Sequence, residues 1–173
     1  VINSVCGTPS ERPDDYCISL DIGYGAVKKM LDVVCPRHGL VHEQVKVPSL
    51  PKEGEDVQKW RDELIEEVRL AIVPGDRNLD KGKSKKSQIV VKFAVFDHVT
   101  SNTALVLPIR ELIQVCHEYQ VTVLIDGAHA PGAFDLDLKE IGADFYVGNL
   151  HKWYSNPRDA ALLWKNPDAL LKY

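Results

Sequence analysis

Short apolar runs, each about the length of one buried strand, recur along the chain and are separated by segments whose apolar residues fall at helical intervals. Tyr16 to Leu20, Ile89 to Phe96, Val121 to Ile125, Asp144 to Val147 and Ala160 to Trp164 are such runs, and His42 to Val47 alternates apolar and polar residues as a strand does. Between them, Gly25 to Val34 has helical spacing. Glu55 to Ile72 carries Val57, Trp60, Leu64, Ile65, Val68 and Ile72 on one stripe, and Pro74-Gly75 marks its end. Pro108 to Tyr119 is a further helix with proline near its start, where a missing N–H costs little. Strands that alternate with such helices imply an α/β fold with a mostly parallel sheet flanked by helices. The link between the last two runs contains Pro157 and has no helical period. The last strand is therefore expected to run antiparallel to its predecessor, which makes the sheet mixed.

At 173 residues with 45% hydrophobic side chains, one domain spanning 1–173 is expected, interrupted by an exposed polar loop at 76–87 that holds the basic cluster Lys81 to Lys86. A formal charge of −4 gives no broad positive field for nucleic acid. No apolar stretch reaches the ~20 residues of a membrane span, and the first residues lack the order of a signal peptide, so the expected setting is cytoplasmic. Cys6, Cys17, Cys35 and Cys116 have no C-x-x-C spacing and read as reduced, structural thiols.

In open α/β sheets ligands collect beyond the carboxyl ends of the strands. Asp97, His98, Thr100 and Ser101 follow one apolar run, Asp126 and His129 the next, and Asn149, His151 and Lys152 the third. A lysine among apolar and cationic neighbours loses its proton more readily and attacks carbonyl carbons; otherwise it is a solvated charge. A carboxylate closing an apolar strand can keep the ring nitrogen of a pyridinium cofactor protonated, which Asp126 would suit. Equally, an aspartate before Gly127 can cap a turn. A metal-dependent hydrolase built on Asp126, His129 and His151 is a further alternative. His38, His42 and His117 have no partner at ligand spacing and read as surface or packing residues, while His98 could line the crevice.

Three ordered stretches, Asp97-His98-Val99-Thr100-Ser101, Leu124-Ile125-Asp126-Gly127-Ala128-His129-Ala130-Pro131-Gly132 and Ala143 to Trp153, resemble the class V aminotransferase group of fold-type I pyridoxal-phosphate enzymes. That group includes cysteine desulfurases and isopenicillin N epimerase-like proteins. The resemblance implies that Lys152 forms the Schiff base with pyridoxal 5'-phosphate, that Asp126 partners the pyridine nitrogen, and that His129 lies near the phenolic oxygen. It places His151 and Asn149 toward the phosphate, and Ser101, or else Thr100, where an asparagine often contacts cofactor or substrate. Tyr24, in Asp21-Ile22-Gly23-Tyr24-Gly25, falls where a ring-stacking side chain is supplied.

The same resemblance implies an amino-acid substrate, a homodimer in full-length members, and a desulfhydrase, desulfurase, epimerase or transaminase outcome. Asp-Gly-Ala-His-Ala-Pro-Gly is closer to the epimerase and desulfhydrase side. Members are considerably longer, so the chain is expected to be part of the large, cofactor-binding domain. The segment before it would supply phosphate donors at a helix start. The segment after it would supply a small domain and an arginine for the substrate carboxylate. A non-catalytic remnant that keeps only the scaffold is the alternative this shortness raises.

Overall fold

In a computed structural model, residues 15–54, 56–73, 90–158 and 160–169 are described. The expected loop at 76–87 and Cys6 lie outside them. The elements are β1 (Asp15–Leu20), α1 (Gly25–Arg37), β2 (Leu40–Val45), α2 (Val57–Ile72), β3 (Val91–Asp97), α3 (Ile109–Glu118), β4 (Thr122–Asp126), α4 (Leu138–Ile141), β5 (Phe145–Asn149) and β6 (Ala161–Lys165). Among the described residues, six strands form one sheet in the order β2-β1-β3-β4-β5-β6. The first five are parallel, and β6 returns antiparallel on β5, so the sheet is mixed as the Pro157 link predicts.

The two-residue period of the strands sorts their side chains between two layers. Ile18, Leu20, Ala94, Phe96, Val123, Ile125 and Tyr146 join Trp60, Leu64 and Val68 of α2 and Leu112 and Cys116 of α3 in one core. Cys17, Phe93, Val95, Leu124 and Phe145 point the other way, against Leu31, Val34 and Cys35 of α1. Burial of Cys35 explains why α1 runs one turn past the expected Val34 and takes Pro36 into its last turn. β2 begins two residues earlier than its alternation suggests, because Gly39, at φ 69°, turns the chain so that Leu40 pairs with Asp15.

Under α1, His42 accepts from the Ser19 hydroxyl at Nε2 (2.8 Å) and donates from Nδ1 to Asp32 (2.6 Å). This is the connectivity of a serine-hydrolase triad, but Ser19 lies inside β1 and is 3% exposed, beyond the reach of a substrate. The three residues instead tie α1 to β1 and β2. His117 of α3 is likewise paired with the buried Asp144 (2.9 Å). Both histidines thus have acid partners far away in sequence, which the spacing does not suggest, and both are packing residues. Among the described residues no helix is long and apolar enough to cross a membrane.

Candidate active site

β3 and β4 pair in register, with Asp97 opposite Asp126, and Asp126 pairs in turn with Val147 of β5. Side chains at paired positions of neighbouring parallel strands share a face, with backbones about 4.8 Å apart. Asp97 follows Val95 and Asp126 follows Leu124 by the strand period, so both acids emerge on the α1 side at the carboxyl edge of the sheet. Tyr24, the residue before α1, stands at the same edge and is 48% exposed.

Asp126 is fixed by the turn it begins. Its Oδ1 accepts from the Ala128 N–H (3.0 Å), and the Gly127 N–H donates to the Val147 carbonyl (2.7 Å). The turn-capping role is therefore real, and it also aims the carboxylate. Gly127 is required here, because a Cβ would stand 2.2 Å from two ring carbons and the hydroxyl oxygen of Tyr146. Tyr146 is fully buried and its hydroxyl bonds His98 Nδ1 (2.8 Å), while His98 stacks on Phe134. Burial keeps His98 neutral by lowering its pKa, and burial with the charge of Asp126 pushes the Tyr146 phenol up. The phenol is thus the donor and the imidazole nitrogen the acceptor.

Lys152 sits in a tight loop after β5. Leu150 N–H donates to Ala160 (2.9 Å), Asn156 N–H to Leu150 (3.1 Å) and Ser155 N–H to Lys152 (3.3 Å), which closes the loop on itself. The His129 segment packs on this loop. Gly132, at φ 85°, lets the chain pass so close to the Trp153 backbone that a Cβ would be 3.0 Å from it. That packing puts Lys152 Nζ 3.0 Å from His129 Nε2. Burial first, and the Lys152 charge second, lower the His129 pKa, while Asp126 opposes them. A protonated lysine has only donors, so Nζ donates and the neutral imidazole accepts at Nε2.

The other sequence-derived residues are distributed around this centre. His151 is half-buried and donates from Nδ1 to the Ala160 carbonyl over 3.4 Å, and Asn149 ends β5, half-buried. Of the two hydroxyls after β3, Thr100 is buried and occupied within its own turn, accepting from Leu105 N–H (2.9 Å) and bonding Thr103 (2.7 Å). Ser101 is the exposed one. Among the described residues no three His, Cys, Asp or Glu side chains are grouped so as to hold a metal ion, and Asp126, His129 and His151 form no such set.

One member of the edge has no role that its place in the sequence suggests. Asp97 is 6% exposed, accepts from the backbone N–H of Tyr24, and has its pKa raised to about 7. Burial is the main cause and the Asp126 charge the second; the Tyr24 N–H, Lys28 and Lys152 pull the other way. The signal was present, since two neighbouring apolar runs each end in aspartate, but only the register makes them a pair. The folded chain keeps this proton up to about pH 7 whereas the unfolded chain releases it near 3.8. Stability therefore falls as pH rises through that window, by on the order of 4 kcal/mol at most.

Comparisons with known proteins agree with this fold. The family model "Aminotransferase class-V" matches residues 68–169. A probable chloroplastic L-cysteine desulfhydrase of Arabidopsis thaliana is 37% identical over 151 residues, 87% of this chain and 28% of the relative. Isopenicillin N epimerase of Streptomyces clavuligerus is 32% identical over 160 residues, 92% of this chain and 34% of the relative. The chain thus spans about three tenths of the length of these curated relatives. Among solved structures, the cystine C-S lyase C-DES, in complex with its product cysteine persulfide, superposes with a TM-score of 0.73 at 20% identity, covering 96% of this chain and 39% of that one. A mutant of C-DES was solved with glycine covalently linked to its PLP cofactor.

Proposed function

The chain belongs to the aminotransferase class V family, and on that premise we propose that it holds pyridoxal phosphate on Lys152 and acts on an amino acid. The carrying observation is the 3.0 Å contact between Lys152 Nζ and a neutral His129 on the same sheet edge as Asp126. These residues fit the cofactor's chemistry. An aldehyde needs an amine that can shed its proton, and a pyridine ring that must stay protonated needs a fixed carboxylate. Bound there, the cofactor would supply an electron-withdrawing ring that eases negative charge at the substrate's alpha carbon.

The chain's own residues would divide the remaining work. His129 Nε2 accepts a hydrogen bond from Lys152 Nζ and would receive a proton from it as the amine attacks; a free Lys152 amine would be the base that moves the alpha proton. Asp126 keeps the ring nitrogen protonated. His151 and Asn149 would hold the phosphate, Ser101 would contact cofactor or substrate, and Tyr24 would supply a ring for stacking. A homodimer in the cytoplasm belongs to the same proposal.

The desulfhydrase and epimerase relatives make L-cysteine the first substrate to test. The intact protein supplied with pyridoxal phosphate is expected to release sulfide from L-cysteine or to invert or transaminate an amino acid, and to stop when the cofactor is dialysed away. Cofactor-independent turnover, or none on any amino acid together with no cofactor uptake, would refute the reading.

A further inference from the structure

The buried Asp97 carboxyl has no use in the roles assigned above, yet it is an expensive group to keep in place. Elements converge on it from every side. The Tyr24 N–H reaches it from the turn before α1, and Asp126 lies opposite it on β4. The charges of Lys28 on α1 and of Lys152 in the loop after β5 act on it as well, and the charges of Asp126 and Lys152 both act on His129. Lys28 is itself anchored, donating to the Asp21 carbonyl. Gly23 lies beside the carboxyl, where a Cβ would be in ordinary contact with Asp97 Oδ1 at 3.5 Å. An asparagine would keep the Tyr24 hydrogen bond without burying an acid, so packing alone does not explain the carboxyl.

We infer that Asp97 is a positioning residue of the Lys152 site, fastening the Tyr24 turn to the end of β3 and adding a second acid to the charge balance of Asp126, His129 and Lys152. The inference rests on the reading of Lys152 as the reactive amine. With Asp97 neutral, Asp126 carries the edge's negative charge alone. Once Asp97 is ionised, a second negative charge acts on Lys152 and holds its proton more firmly. Asp97 thereby makes the reactivity of the lysine depend on pH near neutrality.

The test uses the full protein without cofactor. Trace labelling with acetic anhydride, mapped by mass spectrometry, reads the free-amine fraction of Lys152 directly. Asp97→Asn is expected to label Lys152 about threefold faster at pH 8, because the variant removes a negative charge that acts on the amine. It should also melt several degrees higher than the wild type at pH 8, with the gain shrinking toward pH 4 where the wild-type carboxyl is neutral in both states. Asp97→Ala, which loses the Tyr24 hydrogen bond as well, should lose part of that gain. Equal labelling rates and equal melting temperatures in wild type and Asp97→Asn across pH 5 to 8 would overturn the inference. Neither readout needs pyridoxal phosphate, so a wild-type protein that fails to take up the cofactor would sink the functional reading and leave Asp97 to be judged by labelling.

Discussion

Lys152→Ala is expected to abolish covalent capture of pyridoxal phosphate and to lower amino-acid turnover by about a thousandfold or more, within the range that general acid–base catalysis by one side chain spans. Two roles disappear together: the amine that holds the cofactor and the base that moves the alpha proton. Lys152→Arg is the informative control, since it keeps the charge beside His129 but offers no nucleophile. Both variants should fold. Lys152 is only half-buried and its loop is closed by backbone hydrogen bonds that do not involve the side chain. Removing the cation should also raise the His129 pKa, because the lysine's charge is one cause of its depression. A histidine titration followed by NMR in Lys152→Ala checks that sign, and an unmoved His129 would contradict the contact.

Gly127→Ala is expected to be among the most destabilising single methyl additions available to this fold. The new carbon would meet the Tyr146 ring at 2.2 Å, and that ring cannot retreat easily because it is fully buried and tied through its hydroxyl to His98. Overpacking usually costs 1–3 kcal/mol, and a contact this short belongs at or above the upper end, about 3 kcal/mol. For a domain of this size that lowers Tm by roughly 6–12 °C. The strain also falls on the turn that aims Asp126, so cofactor affinity should drop with stability. Pairing Gly127→Ala with Tyr146→Leu should restore part of both. A loss under about 1 kcal/mol, or no rescue in the double variant, would show that the turn accommodates the methyl group.

Much of this arrangement is legible in the sequence, because strand ends announce themselves where an apolar run stops. Asp126, His129 and Lys152 could be nominated on that basis, and the antiparallel return of β6 follows from a link too irregular for a helix. Boundaries were less legible. Where β2 starts depends on its pairing with β1, and α1 gains a turn from burial of Cys35, neither of which periodicity contains. α4 is a single turn capped by Asp137, too short to leave a period. The pairs His42–Asp32, His117–Asp144 and His98–Tyr146 join residues 10 to 48 positions apart, and only the folded sheet brings them together. Asp97 gains its role only in the fold for the same reason. Its importance lies in a register, and a register is a property of two strands.

Borohydride reduction after incubation with pyridoxal phosphate, followed by peptide mapping, asks directly where the cofactor attaches. A single reduced adduct on the peptide containing Lys152, accompanied by a visible absorbance band that Lys152→Ala lacks, is the result predicted. Label spread over exposed lysines such as Lys59 with Lys152 unmodified would contradict the central claim.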